Sequence, residues 1–208
     1  MRTGRERTQR KKGILVFNIR EIDYNEEEYE RLRERQVTSE EIFDGVILHV
    51  FRDGVALPNG NTSVREVIAH VEAVCVVPVD ADGNVILERQ YRYPVDAVIT
   101  EIPAGKLDKA GEDPLEGAKR ELREETGLSA GKWTDLGLFV PAAAYCAETI
   151  RMYLAEDLHQ GAQQLDDDEF LDVFRMPLKD AVQAVMDGRI PDAKTQTALL
   201  KAARILGI

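Results

Sequence analysis

Hydrophobic and polar positions alternate along the chain in short runs that have the length of β-strands. The apolar runs occupy 42–51, 64–70, 71–79, 85–90 and 97–102. Turn-forming residues lie between some of these runs, at 58–61 and 80–84. The pattern predicts a hairpin-like lead-in over 42–70. It also predicts that 85–90 is the antiparallel neighbour of 71–79 across the tight turn.

The clearest helical pattern follows these strands. Asp113 is a good N-cap with Pro114 at the first helical position, and Gly127 marks the end of the helix. Glu121 and Glu125 stand one turn apart, so they lie on the same face. We therefore expect a helix that presents two carboxylates side by side.

Further along the chain, strand and helix patterns are mixed. Strands are predicted at 136–140, 149–154 and 170–176, and helices at 178–187 and 193–206. Strict strand–helix–strand alternation and internal repeats are both missing. The interleaving predicts an α/β fold of the α+β kind, a mixed sheet sandwiched between helices, with a small N-terminal β region.

Composition narrows the functional class. The chain has 208 residues, 44% of them hydrophobic, and a formal net charge of −11. An acidic protein of this kind is a poor general binder of nucleic acid. The sequence has neither an apolar stretch of membrane-spanning length nor a secretory signal, so we expect a cytoplasmic protein without a membrane partner.

The cysteines and histidines do not suggest a zinc site or a Ser-His-Asp triad. Cys75 and Cys146 each lie among apolar residues, and no Cys/His ligand spacing is present nearby. We expect two reduced thiols that are buried in the core.

The N-terminal segment has segregated charges. Residues 1–12 hold six Lys or Arg and one Glu, whereas 21–34 are rich in Glu and Asp. We interpret 1–36 as a weakly ordered extension. A solvated tail or a start-site artefact is one interpretation of this segment, and a basic arm for targeting or docking is the other.

A cluster of carboxylates carries the candidate chemistry. Glu121, Glu124 and Glu125 lie within about one helical turn of each other, and Glu112 lies in the loop just before the helix. Like charges so close together destabilise a helix unless a cation binds there. Hard divalent cations such as Mg²⁺ prefer carboxylate oxygen and complete their coordination with water and phosphate. A solvated acidic helix without a ligand is the alternative.

The segment 105–128 resembles the Nudix box in register, with a spacer of six residues between Gly105 and Glu112 where the family usually has five. The matching residues are Glu112, Arg120, Glu121, Leu122, Glu124, Glu125, Gly127 and Leu128. The extra residue precedes the helix, so it leaves the three late glutamates in place.

The resemblance to the Nudix family implies roles for these residues. Glu121 and Glu125 would bind Mg²⁺ directly, with Mn²⁺ as an alternative metal. Glu112 and the carbonyl of Ala104 would complete the metal site. Glu124 would assist catalysis, and Arg120 would orient the carboxylates.

Three segments outside the box resemble the ADP-ribose pyrophosphatases of this family, namely 57–67, 89–94 and 101–105. The resemblance implies that Arg92 and Glu101 contact substrate from one protomer. It implies that Arg65 and Glu66 contact it, or support the site, from the other protomer of an exchanged homodimer. The alternatives are surface salt bridges for the two arginines and a structural partner of arginine for Glu101.

Two segments after the box bear on the substrate and on the attacking water. The family usually has Ser-Pro-Gly about fifteen residues past the box, whereas this chain has Pro141-Ala142-Ala143-Ala144-Tyr145, and Glu148 matches the acidic residue that follows. The acidic run 166–169 resembles the loop that supplies the residue activating water. Glu169 is the favoured base, with Asp166 or Asp168 as substitutes, and a solvated turn is the alternative.

The sequence thus predicts an extension (1–36), an N-terminal β dimerisation region (37–70) and a Nudix hydrolase domain (71–208). The expected reaction is Mg²⁺-dependent hydrolysis of ADP-ribose to AMP and ribose 5-phosphate. Hydrolysis of an ADP-sugar, GDP-mannose or NADH is one alternative. A non-catalytic domain that senses ADP-ribose is the other.

Overall fold

The computed structural model describes residues 25–107, 109, 111–165 and 169–208, and it divides the chain into two compact units. The described part of the N-terminal unit comprises 25–71 and 142–149, and that of the larger unit comprises 72–141 and 150–208, with the same gaps. Within the described residues, no helix is long and apolar enough to span a membrane.

The N-terminal unit is a three-stranded antiparallel sheet preceded by a short helix. Its elements are α1 (Glu26–Leu32), β1 (Arg35–Asp44), β2 (His49–Ala56) and β3 (Thr62–Ala69), in the sheet order β1-β2-β3. Asn25 and Glu28 form a capping box at the start of α1. The helix and the beginning of β1 thus occupy the described end of the segment that we assigned to a weakly ordered extension.

The predicted run 42–51 is two strands rather than one. The chain turns between β1 and β2, where the N–H of Gly45 donates to the carbonyl of Leu48 over 2.9 Å. Apolar residues continue through this turn, so the hydrophobic pattern alone concealed it. Cys146 and Tyr145, from the segment 142–149, lie beside the end of β3 through bonds with Ile68.

The larger unit contains two sheets and three α-helices among its described residues. Its elements are β4 (Ala73–Pro78), β5 (Asn84–Arg92), a 3-10 turn (Tyr93–Val95), β6 (Ala97–Glu101), β7 (Ala104–Lys106), α2 (Pro114–Thr126), β8 (Leu128–Phe139), β9 (Ile150–Gln160), β10 (Leu171–Pro177), α3 (Leu178–Met186) and α4 (Ala193–Leu206). One sheet has the order β7-β4-β9-β8 and the other β10-β5-β6.

The first of these sheets is mixed, which confirms the predicted fold class. Strands β4 and β9 are parallel, whereas β7 and β8 are antiparallel to their neighbours. Successive side chains of β4 point to opposite faces. Val74 and Val76 pack with Leu122 of α2, and Val77 packs with Leu178 and Leu199 of α3 and α4. The sheet is therefore covered by helices on both faces.

The predicted pairing of 71–79 with 85–90 is wrong. Strand β5 pairs with β6 and β10 in the second sheet, and only an isolated bridge between Val79 and Val85 joins the two segments. Both edges of β4 are already used, by β7 and by the parallel β9. The tight turn at 80–84 therefore carries the chain from one sheet to the other, and this places the residues of β5 opposite β6.

Candidate active site

Helix α2 is held at both ends by the residues that the sequence indicated. The Asp113 side chain accepts hydrogen bonds from the N–H groups of Leu115 and Glu116, and Gly127 closes the helix with a φ of 71°. Leu122 is fully buried under the mixed sheet. Packing of this apolar face fixes the rotation of the helix, and with it the direction of the carboxylates on the adjoining face.

Arg120 connects the acidic residues of the box. Its guanidinium donates to Glu112 (3.1 Å), Glu121 (2.7 Å) and Glu124 (3.0 Å). It also donates to the carbonyl of Lys106 over 3.0 Å. The bonds from Arg120 hold the pKa of the Glu112 carboxyl below its usual value. Arg120 thus bonds both the loop carboxylate and the helix carboxylates, and its role in orienting metal ligands remains a prediction.

Glu121 is a buried carboxyl that requires a glycine beside it. Burial raises the pKa of Glu121 to about 7, although Arg120 opposes the shift. A Cβ atom at Gly105 would lie 2.1 Å from the Glu121 carboxylate. Only glycine leaves room for that carboxylate, which gives the first glycine of the box a physical role.

Glu125 is also buried and is anchored to the strand before the box. Its Oε2 accepts a hydrogen bond of 2.9 Å from the N–H of Ala104. Burial raises the pKa of Glu125 well above its usual value, and the neighbouring carboxylates Glu88 and Glu121 raise it further. Residue 104 therefore lies directly beside a predicted metal ligand, while the metal-binding role of its carbonyl remains a prediction.

Residues 163 and 164, which follow β9, are hydrogen-bonded to the end of α2. The Gln163 side chain donates to the Glu125 carbonyl over 2.6 Å, and the Gln164 N–H donates to the Glu124 carbonyl over 2.9 Å. The charge of Glu169 raises the pKa of Glu121 and of Glu125. Glu169 thus interacts with the helix carboxylates. The alternative bases Asp166 and Asp168 lie outside the described residues.

Arg92 and Glu101 form one ion pair at the ends of β5 and β6. Arg92 donates to Glu101 through Nε at 2.6 Å and through Nη2 at 3.0 Å. Lys194 of α4 also contacts the Glu101 carboxylate, and it bonds Asp192 at 3.1 Å. Burial tends to raise the pKa of Glu101, but the two cations outweigh it and lower the pKa. Glu101 is therefore an ionised, buried anchor, and its contact with substrate remains a prediction.

Arg65 and Glu66 lie in the N-terminal unit. Arg65 donates through Nε to Glu34 over 2.9 Å, and the exposed Glu66 lies 3.8 Å from Arg52. These contacts agree with the alternative of surface salt bridges. Glu148 belongs to the same unit, 3.8 Å from the ring of His70. The substrate roles of Arg65 and Glu66 remain predictions.

Two charged residues, one buried and one partly buried, were not identified from the sequence. Glu88 of β5 is 1% exposed, and within the described part of the chain its Oε2 has no hydrogen-bond partner. Lys194 is partly buried, and the charges of Glu101 and Asp192 raise its pKa against the effect of burial. A signal existed for Glu88, since it directly continues the apolar run 85–87 inside a strand. Lys194 gave no such signal, because lysine in the first turn of a helix is ordinarily exposed.

The donor set fits a hard divalent cation. The acidic side chains gathered around α2 offer carboxylate oxygens, Glu121 and Glu125 among them are buried, and Oε2 of Glu88 is unpartnered within the described residues. By contrast, Glu41, Asp44 and His49 in the N-terminal unit also place ligand atoms within 4.8 Å of one another, but the two acids are exposed. Exposed groups of that kind are common without a metal, so α2 is the candidate metal centre.

Comparisons with known proteins agree with this geometry. The NUDIX domain model matches residues 69–198. An ADP-ribose pyrophosphatase of Bacillus subtilis (strain 168) is 40% identical over 170 residues, 81% of this chain and 91% of that protein. A methanol dehydrogenase activator of Bacillus methanolicus is 40% identical over 168 residues, 80% and 90% of the two chains.

A solved structure extends the agreement to the fold. The crystal structure of an ADP compounds hydrolase matches with a TM-score of 0.77 and 27% identity, and the match covers 85% of this chain and 96% of that one. The family match spans more than half of the chain and contains the whole of 105–128. These findings confirm the resemblance first seen in that segment: the chain belongs to the Nudix family.

Proposed function

We propose that this protein hydrolyses the pyrophosphate bond of ADP-ribose to AMP and ribose 5-phosphate in a reaction that depends on Mg²⁺. The observation that carries the proposal is the pair of buried carboxylates Glu121 and Glu125, which lie on one helix face beside the Arg120 network. The substrate follows from the Bacillus subtilis ADP-ribose pyrophosphatase, which is 40% identical to this chain over 170 residues.

Glu121 and Glu125 are the residues that would hold Mg²⁺, together with Glu112 and the carbonyl of Ala104. When bound, Mg²⁺ neutralises the charge of the diphosphate and lowers the pKa of a water molecule. Mn²⁺ has the same preference for oxygen ligands and is an alternative. Gly105 contributes by leaving space for the Glu121 carboxylate.

Arg120 positions these ligands, since its guanidinium bonds Glu112, Glu121 and Glu124 at once. Glu124 is more exposed than Glu121, and it assists from the rim of the site. Glu169 accepts the proton of the attacking water. Its electrostatic interaction with Glu121 and Glu125 supports this assignment.

Arg92 is the proposed phosphate-binding arginine. Its bonds to Glu101 use Nε and Nη2, so the Nη1 group is the part of the fork directed to a phosphate oxygen in this proposal. Glu101 fixes the orientation of Arg92 and would contact substrate next to it. Arg65 and Glu66 would reach the site from the other protomer of a homodimer.

An exposed apolar surface supports the homodimer. All ten residues of β1, an edge strand, are exposed. Val46 is 100% exposed and Phe43 is 55% exposed. Apolar residues concentrated on an edge strand and its turn are typical of a protein interface. Light scattering after gel filtration should give a dimer for the wild type and a monomer for Phe43→Asp with Val46→Asp. Met186→Asp, at an exposed apolar position of α3, should remain dimeric.

Other nucleoside diphosphate derivatives share the diphosphate of ADP-ribose, so a test of the substrate must compare them with ADP-ribose. The segment 141–145 stands in the place of the family's Ser-Pro-Gly, a feature associated with a preference for ADP-ribose. Products should therefore be analysed with ADP-ribose, ADP-glucose, GDP-mannose and NADH in parallel, with and without Mg²⁺. A clear preference for ADP-ribose supports the proposal, and equal rates would contradict the substrate assignment.

A matched pair of variants tests the chemistry. Glu121→Gln should keep the fold and lose most Mg²⁺-dependent turnover, because the carboxylate charge is lost with little change of shape. Glu116→Gln, on the exposed face of the same helix, should retain wild-type turnover. Near-normal activity of Glu121→Gln would refute the assignment of the metal site. ADP-ribose that binds without any turnover of the wild type would favour a sensing domain.

A further inference from the structure

The buried carboxyl of Glu88 has no role in the box. It lies in the middle of β5, directly opposite Glu101 on β6. It is 1% exposed, and among the residues that the structure describes its Oε2 has no hydrogen-bond partner. A buried carboxylate oxygen without a donor costs folding free energy, so such a group persists where a proton or a ligand satisfies it.

The cations closest to Glu88 are already engaged. Arg92 donates through two nitrogens to Glu101, and Lys194 contacts both Glu101 and Asp192. Both cations attract Glu88 only through space, since each of their bonds goes to another carboxylate. The three carboxylates Glu88, Glu101 and Asp192 therefore share two cations, and within the described residues the side-chain hydrogen bonds of both cations go to Glu101 and Asp192.

The side chain of Glu88 is on the same face of β5 as that of Ile86, which packs with Leu122 of α2. Of the neighbouring charges, Glu88 has the largest influence on Glu125, larger than that of Glu121 on the same helix. Glu169 interacts with both Glu88 and Glu125. Carboxylates from β5, from α2 and from residue 169 thus interact in one region, and among the described residues Oε2 of Glu88 has no hydrogen-bond partner.

We infer that Glu88 is an additional direct ligand of the divalent-cation site, sharing a cation with Glu125. The inference rests on the proposed function, because it assumes that α2 holds Mg²⁺. A divalent cation supplies the positive charge that the protein lacks at this point, and carboxylate oxygen is the donor that Mg²⁺ and Mn²⁺ prefer. Glu101 stays outside the metal site, since Arg92 and Lys194 occupy its oxygens.

Binding of Mn²⁺ to Glu88→Gln tests the inference without reference to activity. Electron paramagnetic resonance of free Mn²⁺ gives the dissociation constant in the absence of substrate. We expect it to rise by at least about 10-fold in Glu88→Gln, as is typical when support of a metal site is lost. The melting temperature of the metal-free variant should equal or exceed that of the wild type, because a repelling carboxylate has been removed. Glu116→Gln is the control and should bind Mn²⁺ as the wild type does.

Outcomes separate this inference from the proposed function. If Glu121→Gln weakens Mn²⁺ binding and Glu88→Gln binds within about 2-fold of the wild type, Glu88 is a neutral structural acid and the inference is wrong while the function stands. A second test soaks a wild-type crystal in Mn²⁺, so its result does not depend on the folding of a variant. Anomalous density within about 2.5 Å of a Glu88 oxygen supports the inference, and density confined to α2 overturns it.

Discussion

Replacement of Gly105 by alanine should displace a metal ligand and leave the protein folded. The added Cβ would lie 2.1 Å from the Glu121 carboxylate, whereas ordinary contacts begin at 3.4 Å. The carboxylate must therefore move by about 1.3 Å. It can do so without a shift of the backbone, because it is the far end of a side chain that can rotate. A misplacement of about 1 Å in a catalytic group costs about 100-fold in rate.

We expect kcat of Gly105→Ala to fall by about 100-fold, which corresponds to about 2.7 kcal/mol of transition-state stabilisation. Binding of Mn²⁺ should weaken in parallel, while the far-ultraviolet circular dichroism spectrum remains that of the wild type. Turnover is measured with ADP-ribose at saturating Mg²⁺. A purely structural defect would instead lower the melting temperature and leave kcat per folded molecule unchanged.

The larger unit provides a matched control. A Cβ at Gly131 would lie 2.1 Å from the carboxylate of Asp157, so Gly131→Ala creates the same kind of clash at the same distance. Asp157 is an exposed residue of β9 that lies 3.6 Å from the ring of His159. Gly131→Ala should keep wild-type turnover. The reasoning is refuted if the two variants have the same kcat.

Three further predictions concern the residues around the site. Arg120→Lys should lower Mg²⁺-dependent kcat by about 10-fold or more, because an ammonium group cannot replace the planar fork that bonds three carboxylates; a kcat within 2-fold of the wild type would contradict this. Lys194→Met should lower the free energy of unfolding in urea by about 2 kcal/mol, because the buried Glu101 loses one of its two cations and Asp192 loses its bond to Lys194, whereas the exposed Lys179→Met should change it little. Cys75 is fully buried, and burial raises its thiol pKa to about 12. The native protein should therefore react with a thiol reagent at the half-buried Cys146 alone, and both cysteines should react in denaturant. Fast labelling of two thiols in the native state would contradict this prediction.

The sequence predicted the capped helix and its carboxylates because both are local features. The N-cap at Asp113, the C-cap at Gly127 and the spacing of Glu121 and Glu125 follow from helix geometry alone. These residues lie within one segment, so no knowledge of the tertiary fold was needed to bring them together. The mixed sheet between helices was predicted for a similar reason, since strand and helix periods are visible in the chain.

Sheet assignment could not be predicted in the same way. Strands 71–79 and 85–90 are adjacent in sequence and joined by a tight turn, yet they belong to different sheets. The parallel partner of β4 comes from β9, more than seventy residues later. Competition of distant strands for the same edge is a tertiary effect that a local pattern does not record.

The buried charges show the same limit. Lys194 and Glu101 are separated by 93 positions in the sequence but are in contact in the fold. Neither residue differs in type from the many exposed lysines and glutamates of this acidic chain. Their pairing depends on the docking of α4 against the end of β6, where Thr195 accepts a hydrogen bond from the N–H of Ile102.

The central claim is that carboxylates gathered on α2 hold divalent cations against a diphosphate. Crystals grown with Mn²⁺ and a non-hydrolysable ADP-ribose analogue test it most directly, because Mn²⁺ is located by its anomalous scattering. We predict anomalous peaks that lie between the carboxylate oxygens of Glu121 and Glu125 and the diphosphate of the analogue. An analogue bound elsewhere, with no anomalous density at these two carboxylates, would contradict the account.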